Sequence, residues 1–322
     1  MTHDLAEWTQ KYIDSINNFP PQEVNSILRF KNTAPADKDI SEFTKADFIE
    51  MFKKINFQTN KTFWGVKSDY KSFLIFLLVN GVVTQKVIND LTSIQFEDVV
   101  VIDNFYADHY GSLEELYSTI DEYADIKTGG DVFEGEFDDI YCICALGFYG
   151  VKIEELSYIL KDDINIEAST IHIPTRDQII SLDPLTLARL VKYRDAVVRW
   201  QHKYGRVEPS KEVYYPSIYL FRTIREPQTF ASNIVKRISV FTVNVDVKKK
   251  LRYDHIYQSG RFYRVYQYEQ KNGDIRKADV NDIAELFEIN KNLSPTSIKK
   301  QMSIENTQYT MWKNLFYPEA AK

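Results

Sequence analysis

Residues 138–164 read DDIYCICALGFYGVKIEELSYILKDDI, and the turn in the middle of this stretch organises the chain around it. Tyr141, Cys142, Cys144, Ala145, Leu146 and Phe148 make a helix that is apolar nearly all round, the pattern of a helix buried inside a domain. Gly147 and Gly150 permit a tight stop. Val151 to Leu156 then opens a second helix, with Ile153, Leu156 and Leu160 at core spacing. Lys152 is thereby held at a turn between two buried helices, where a charge is costly unless an anion meets it.

With 322 residues the chain is long enough for two domains, each with its own core. A hydrophobic content of 44% with 14% aromatics excludes a disordered protein. No apolar run approaches the ~20 residues of a membrane span, so no membrane partner is expected. The opening MTHDLAEWTQKY lacks the zones of a secretory signal. Cys142 and Cys144, two apart on one helix, read as packed thiols, and a cytoplasmic location follows as an expectation. The net charge of −6 is strongly segregated. Fourteen acids stand against Lys127 alone between Glu97 and Asp139, whereas Lys236 to Gln301 carries fourteen Lys/Arg against eight Asp/Glu. A polyanion held by one face and repelled by another fits this distribution, and so do two solvated faces.

Along the chain, Leu5 to Leu28 forms a helical lead-in interrupted by Pro20-Pro21, and 32–39 is a loop by composition. FTKADFIEMFKKI, from Phe43, and NKTFWGVKSDYKSFLIFLLVNGVV, from Asn60, predict two helices, the second stopped at Asn80-Gly81; a shorter helix follows near Gln85 to Leu91. Ser93 to Asp108 reads as a linker with a short strand at Val99 to Ile102. Gly111-Ser112-Leu113-Glu114-Glu115-Leu116 is a capping-box-like start for a helix closed at Thr128-Gly129-Gly130. Two β-rich runs around Thr175-Arg176-Asp177 predict a hairpin, and Asp183-Pro184 starts a helix expected to run through Trp200 to about Gly205. A further helix ends near Val240. The alternation of Arg261 to Glu269 predicts a strand, with Lys271-Asn272-Gly273-Asp274 as its turn.

Several of these stretches resemble the tyrosine recombinases, or phage integrases. Gly150-Val151-Lys152-Ile153-Glu154-Glu155-Leu156 is similar to the family's T-G-L-R-x-S-E-L, with lysine in place of the phosphate-gripping arginine. Residues 43–83 resemble its helical core-binding domain, and the S-x-E-E-L helix resembles the one that opens its catalytic domain. The resemblance covers roughly residues 41–310 and thins at 261–274, where the family has no hairpin. It implies a mainly α protein with a small β-sheet, in two domains: 1–104, a helical lead-in and core-binding DNA-binding domain, and 105–322, a catalytic-like domain with a C-terminal helix or tail.

Tyrosine-mediated strand cleavage needs cations on the phosphate, a general acid, a base and a placed phenol. Lys249-Lys250-Leu251-Arg252 keeps the leucine and arginine of the family's H-x-L-R, but Lys249 replaces the histidine and cannot shuttle protons as a neutral imidazole does. Arg176 alone stands near the hairpin tip, where the family has an acid lysine, and arginine is a poor proton donor. Aligning Ser303 to Thr307 with the last motif puts Gln301 in the second histidine's place and leaves Tyr309 one residue early for the nucleophile. Lys152, Arg176, Lys249, Arg252, Gln301 and Tyr309 are therefore degenerate positions, and no catalytic residue is assigned. Loss of several groups worth about 10²–10⁴ each leaves no useful recombinase.

The resemblance then implies a sequence-specific double-stranded DNA-binding repressor that maintains lysogeny of a temperate phage, not an enzyme, with an active recombinase using Tyr309 as the alternative. Expected DNA contacts are Lys61, Lys67, Lys71, Lys152, Arg176, Lys248, Lys249, Lys250, Arg252, Arg261, Lys299 and Lys300. Each lysine of the 60–79 helix reads equally as a wet face. Tyr309, Trp312, Leu315 and Phe316 lie on one helical stripe, expected as a homodimer contact, with docking onto its own chain as the other reading. The partners expected are operator DNA, a second copy and a protein antagonist that releases the complex. No cofactor or metal is expected, because the histidines show no metal spacing and no phosphate-cradling glycine loop is present.

Overall fold

The computed structural model describes residues 4–15, 21–55, 57, 60–100, 106–133, 135–201, 210–290 and 292–321. The chain divides into two compact units, Met1–Phe105 and Tyr106–Lys322. Both are mainly α, and the second adds small antiparallel sheets.

In the first unit, α1 (Leu5–Ser15) and α2 (Pro21–Thr33) precede α3 (Lys45–Ile55), α4 (Asn60–Val79), α5 (Gln85–Thr92) and the single turn α6 (Phe96–Val99). Phe63, Val66, Tyr70, Phe73, Leu74 and Leu77 recur at three and four residues along α4, so one face of that helix is buried. Aromatic edges lock it in place: Phe30 meets Tyr70 at 4.7 Å and Phe73 at 5.2 Å, and Phe52 stacks on Tyr70 at 5.3 Å. The 93–108 segment departs from the expected linker in containing α6, which takes up Val99 of the expected strand; residues 101–105, which hold its second half, lie outside the described residues.

The second unit is built on α8 (Asp138–Phe148), every residue of which is buried, as its apolar circumference requires. Against it pack α7 (Leu113–Thr128), α10 (Pro184–Asp195), α11 (Ala231–Thr242) and α12 (Tyr253–Asn272). Ser112 caps α7, its hydroxyl accepting from the Glu115 amide at 3.2 Å, and Gly129 closes it at φ 69°. A short α9 (Ile153–Leu156) leads to a three-stranded meander of β1 (Ile164–Asn165), β2 (Thr170–Ile173) and β3 (Gln178–Ser181), with β2 central and Ile171 opposite Ile180. The chain finishes with α13 (Val280–Leu286) and α14 (Pro295–Phe316).

Two expected elements are corrected. The helix from Asp183 stops at Asp195, and Val198–Gln201 is instead a strand, β4, paired with β5 (Ser210–Val213); Arg199 and Glu212 face each other across it at 2.8 Å. Paired β-branched residues at Val197 and Val198 and the cross-strand ion pair favour that ladder over continued helix. The strand expected over 261–269 is the middle of the 20-residue α12. Its buried residues Ile256, Ser259, Gly260, Phe262 and Val265 follow helical spacing, while the alternating Arg and Tyr side chains around them mimic a period of two. Gly260 is required here: a Cβ would lie 1.7 Å from the Phe148 carbonyl oxygen, so only glycine lets α12 cross α8 this closely.

Candidate functional site

The Lys152 turn and the start of α12 meet at one cavity. Gly150, at φ 88°, reverses the chain after α8, and Lys152 takes the N-cap position of α9 with its side chain exposed. The Glu155 carboxylate accepts from the Lys152 amide at 2.7 Å, closing the helix start with the side chain one turn on. Arg176, at the β2–β3 tip, donates to the Gly150 carbonyl at 2.8 Å and lies 3.5 Å from Glu155. From the other side, Arg252 caps α12 while the next residue, Tyr253, donates its hydroxyl to the Val151 carbonyl at 2.8 Å. The two turns are thus tied by a bond adjacent to both cations.

Lys152, Lys250 and Arg252 line this cavity of about 830 Å³, together with an apolar floor of Ile153, Ile238, Val245 and Leu251. Its volume falls in the range of ligand sites, and its few charged groups stand over an apolar base. Glu154, Asp246, Asp254 and Glu288 also border it. Arg252 is half exposed and pairs with Asp254 at 3.3 Å, so its guanidinium retains donors for an anion. Glu288, in the left-handed region at φ 55°, accepts from the Tyr257 hydroxyl and from Arg264 at 3.1 Å. Burial first, then the Glu288 carboxylate, pushes the Tyr257 phenol well above its ordinary value. Nothing in the sequence pattern marks Glu288, and Tyr253 and Lys250 are visible only as members of an aromatic and basic run.

The remaining expected positions divide sharply. Lys61, Lys71, Lys248, Lys299, Lys300 and Gln301 are exposed. Lys67 is not a phosphate contact: it is 5% exposed, its ammonium donates to the Thr92 carbonyl at 2.8 Å and to that of Ile94, and burial lowers its pKa. Lys249 points away from the cavity, donating to the His109 carbonyl at 2.7 Å and pairing with Glu115. Arg176 lies in a neighbouring groove, one of its terminal nitrogens held by the Gly150 carbonyl. Arg261 is committed to Glu305 at 2.6 Å, both side chains 15% exposed.

Tyr309 is 1% exposed, and its hydroxyl donates to Glu269 at 2.6 Å, a carboxylate shared with Lys313 at 2.7 Å. Burial first and Glu269 second raise its pKa far above that of a free phenol. Neither Tyr309 nor Gln301 lines the Lys152–Arg252 cavity. The stripe expected at a dimer contact is likewise folded onto its own unit. Trp312 is fully buried with its indole N–H donating to the Tyr110 carbonyl at 3.2 Å, and Phe316 covers Gly111. Leu315 and Phe316 keep partial exposure. Among the described residues no group of three or more His, Cys, Asp or Glu is placed to hold a metal ion, and no helix is long and apolar enough to cross a membrane.

A buried central helix, a cation at the turn after it and an arginine at the cap of the facing helix frame a cavity of mixed charge, Lys152, Lys250 and Arg252 against Glu154, Asp246, Asp254 and Glu288. The profile of one family, described as "MrpR, C-terminal catalytic domain", matches residues 138–310, more than half of the chain, and the chain belongs to that family. No curated protein matches the sequence. Among solved structures, the XerA recombinase is 15% identical, with 94% of this chain and 97% of that chain covered at a TM-score of 0.37. The Tn1549 transposon integrase with a circular intermediate DNA is 13% identical, covering 96% and 95%, at 0.36. A lambda integrase dimer bound to a COC′ core site is 11% identical, covering 93% and 95%, at 0.34. At this level of likeness no residue assignment passes from them to this chain.

Proposed function

We propose that this protein is a sequence-specific duplex DNA-binding repressor of a temperate phage, a recombinase-type chain that grips the backbone without cutting it. The observation that carries the reading is the separation of two chemistries. Lys152 and Arg252, a hundred residues apart, open into one cavity, while the Tyr309 phenol is sealed elsewhere against Glu269. Two cations over one cavity suit a phosphate, and a phenol with no access to that cavity cannot attack it. Lys249 in the histidine position is bound to Glu115 and supplies no proton relay.

On this reading residues 1–104 serve as the core-binding domain, with Lys61 and Lys71 as its exposed cations, and residues 105–322 carry the degenerate catalytic-like domain. The combination resembles the recombinase-fold master repressor of SPβ-type temperate phages, which holds lysogeny by binding operator repeats. A homodimer and an antagonist protein belong to the same proposal, as does a cytoplasmic location.

The word "catalytic" in the family's description keeps the enzyme reading in view. A nicked suicide duplex separates the two. The repressor reading expects no covalent protein–DNA adduct; an adduct that Tyr309→Phe abolishes would establish the recombinase instead. The same duplex should shift in a gel with an affinity that falls steeply as salt rises, by roughly 0.9 in log–log slope per phosphate neutralised.

A further inference from the structure

Beside the Lys152–Arg252 cavity, and sharing Glu288 with it, runs a groove of about 930 Å³ with the hairpin tip and β3 as one wall and α12 and α13 as the other. Its strand wall is a free sheet edge. The order β1-β2-β3 leaves β3 paired on one side only. The Leu182 amide donates to the Ser169 carbonyl at 2.9 Å, which fixes the phase of the ladder. Alternate residues Gln178 and Ile180 therefore point their backbone groups at β2, and Ile179 and Ser181 point theirs outward. The outward N–H and C=O groups of Ile179 and Ser181 have no partner among the described residues, and the Ile179 side chain is 68% exposed. An unpaired edge facing a helix across a groove is the geometry that accepts an added strand.

The charge of the walls selects the occupant. Asp177, Asp282, Glu285 and Glu288 line the groove against two guanidiniums. Groups of both signs carry internal contacts, Arg176 with the Gly150 carbonyl, Arg264 with the Phe148 carbonyl and Glu288, Asp177 with His172 and Asp282 with Tyr268, and the walls keep four carboxylates against two guanidiniums. That excess of negative charge disfavours a polyanion here. We infer that the β3 edge captures an extended, basic segment of a partner protein as a fourth strand, with Lys or Arg at alternate positions reaching the carboxylates. The pairing would use the main chain of Ile179 and Ser181, and the side chains alternating along the added strand would set specificity.

The test uses the full chain and the peptide acetyl-Val-Lys-Val-Lys-Val-amide, with its Glu-for-Lys counterpart as control. Binding of the basic peptide should slow hydrogen exchange across 178–182, and the acidic peptide should bind at least about tenfold more weakly. Ile179→Pro removes one outward N–H without touching the β2 ladder and should lower affinity by about tenfold or more, since proline is tolerated on edges. Glu285→Lys, on the opposite wall, should also weaken the basic peptide and improve the acidic one. Equal affinity for the two peptides overturns the inference. So does protection of 178–182 by a short DNA duplex, or protection that rises with protein concentration alone. Peptide binding is read apart from the duplex gel shift and its Arg252→Ala variant, so the two readings fail separately.

Discussion

The Lys152–Arg252 cavity and the Tyr309 corner lie in the same unit and are built from the same helix, α12, yet they obey opposite physics. At the cavity, cations are held at helix caps by backbone bonds and their head groups stay in solvent, where they cost little and can meet a ligand. At the corner, the Tyr309, Trp312 and Phe262 rings pack with centroids about 6 Å apart, and the Tyr309 hydroxyl and Trp312 N–H are spent internally. Residue type in the sequence is thus no guide to availability: the Lys67 and Lys249 ammoniums and the Tyr309 phenol are all taken up by partners inside the protein.

The contrast is breakable by measurement. The largest effect is expected at the corner, where Trp312→Ala should destabilise the chain by about 3–5 kcal/mol in denaturant unfolding, because a large buried ring leaves a cavity. An effect below about 1 kcal/mol would mean that the stripe is docked loosely and is available to a second copy.

Acid should act next. His109 and His255 stack at 4.5 Å beside the start of α12, and burial depresses both, His109 to about 3. Around them stand Asp108, Asp254, Arg252, Lys249 and Gln258. A histidine whose folded pKa lies below its unfolded value of about 6.5 binds its proton more readily unfolded, so stability is full above that pH and is lost as pH falls toward the folded value. Between pH 7 and pH 5 the unfolding free energy should drop by on the order of 2 kcal/mol, and His109→Gln should flatten that slope.

The smallest effect on stability belongs to the cavity. Arg252→Ala should change unfolding by no more than about 0.5 kcal/mol while weakening duplex binding uniformly across sequences and reducing the salt slope by about 1. A sequence-selective loss would instead make Arg252 a reader of bases.

Much of this architecture was legible in the residues alone. The all-round apolar helix, the glycine turn before Lys152, the Asp183-Pro184 start and the hairpin around Arg176 are each written in local pattern, and each forms where expected. Residues 196–201 and 261–269 were misread for reciprocal reasons. In the first, helix propensity continued past a point where a cross-strand partner more than ten residues away captures the chain. In the second, a half-buried Arg/Tyr alternation hid a buried stripe whose period is set by α8. The cavity itself was half legible. Lys152 and Arg252 stand out, but Glu288 reaches it only through a left-handed backbone kink after α13, and no spacing rule announces that.

The contact of Gly260 with the Phe148 carbonyl has a mechanical consequence. With no side chain between them, α8 and α12 meet backbone to backbone, and the Tyr253 hydroxyl pins the same two segments a few residues away. The spacing of the two turns that carry Lys152 and Arg252 is therefore set by main-chain abutment, like the jaws of a calliper locked at one opening. Any ligand taken between Lys152 and Arg252 meets two backbone turns already held at one spacing, and only the two exposed side chains are left to adjust to it.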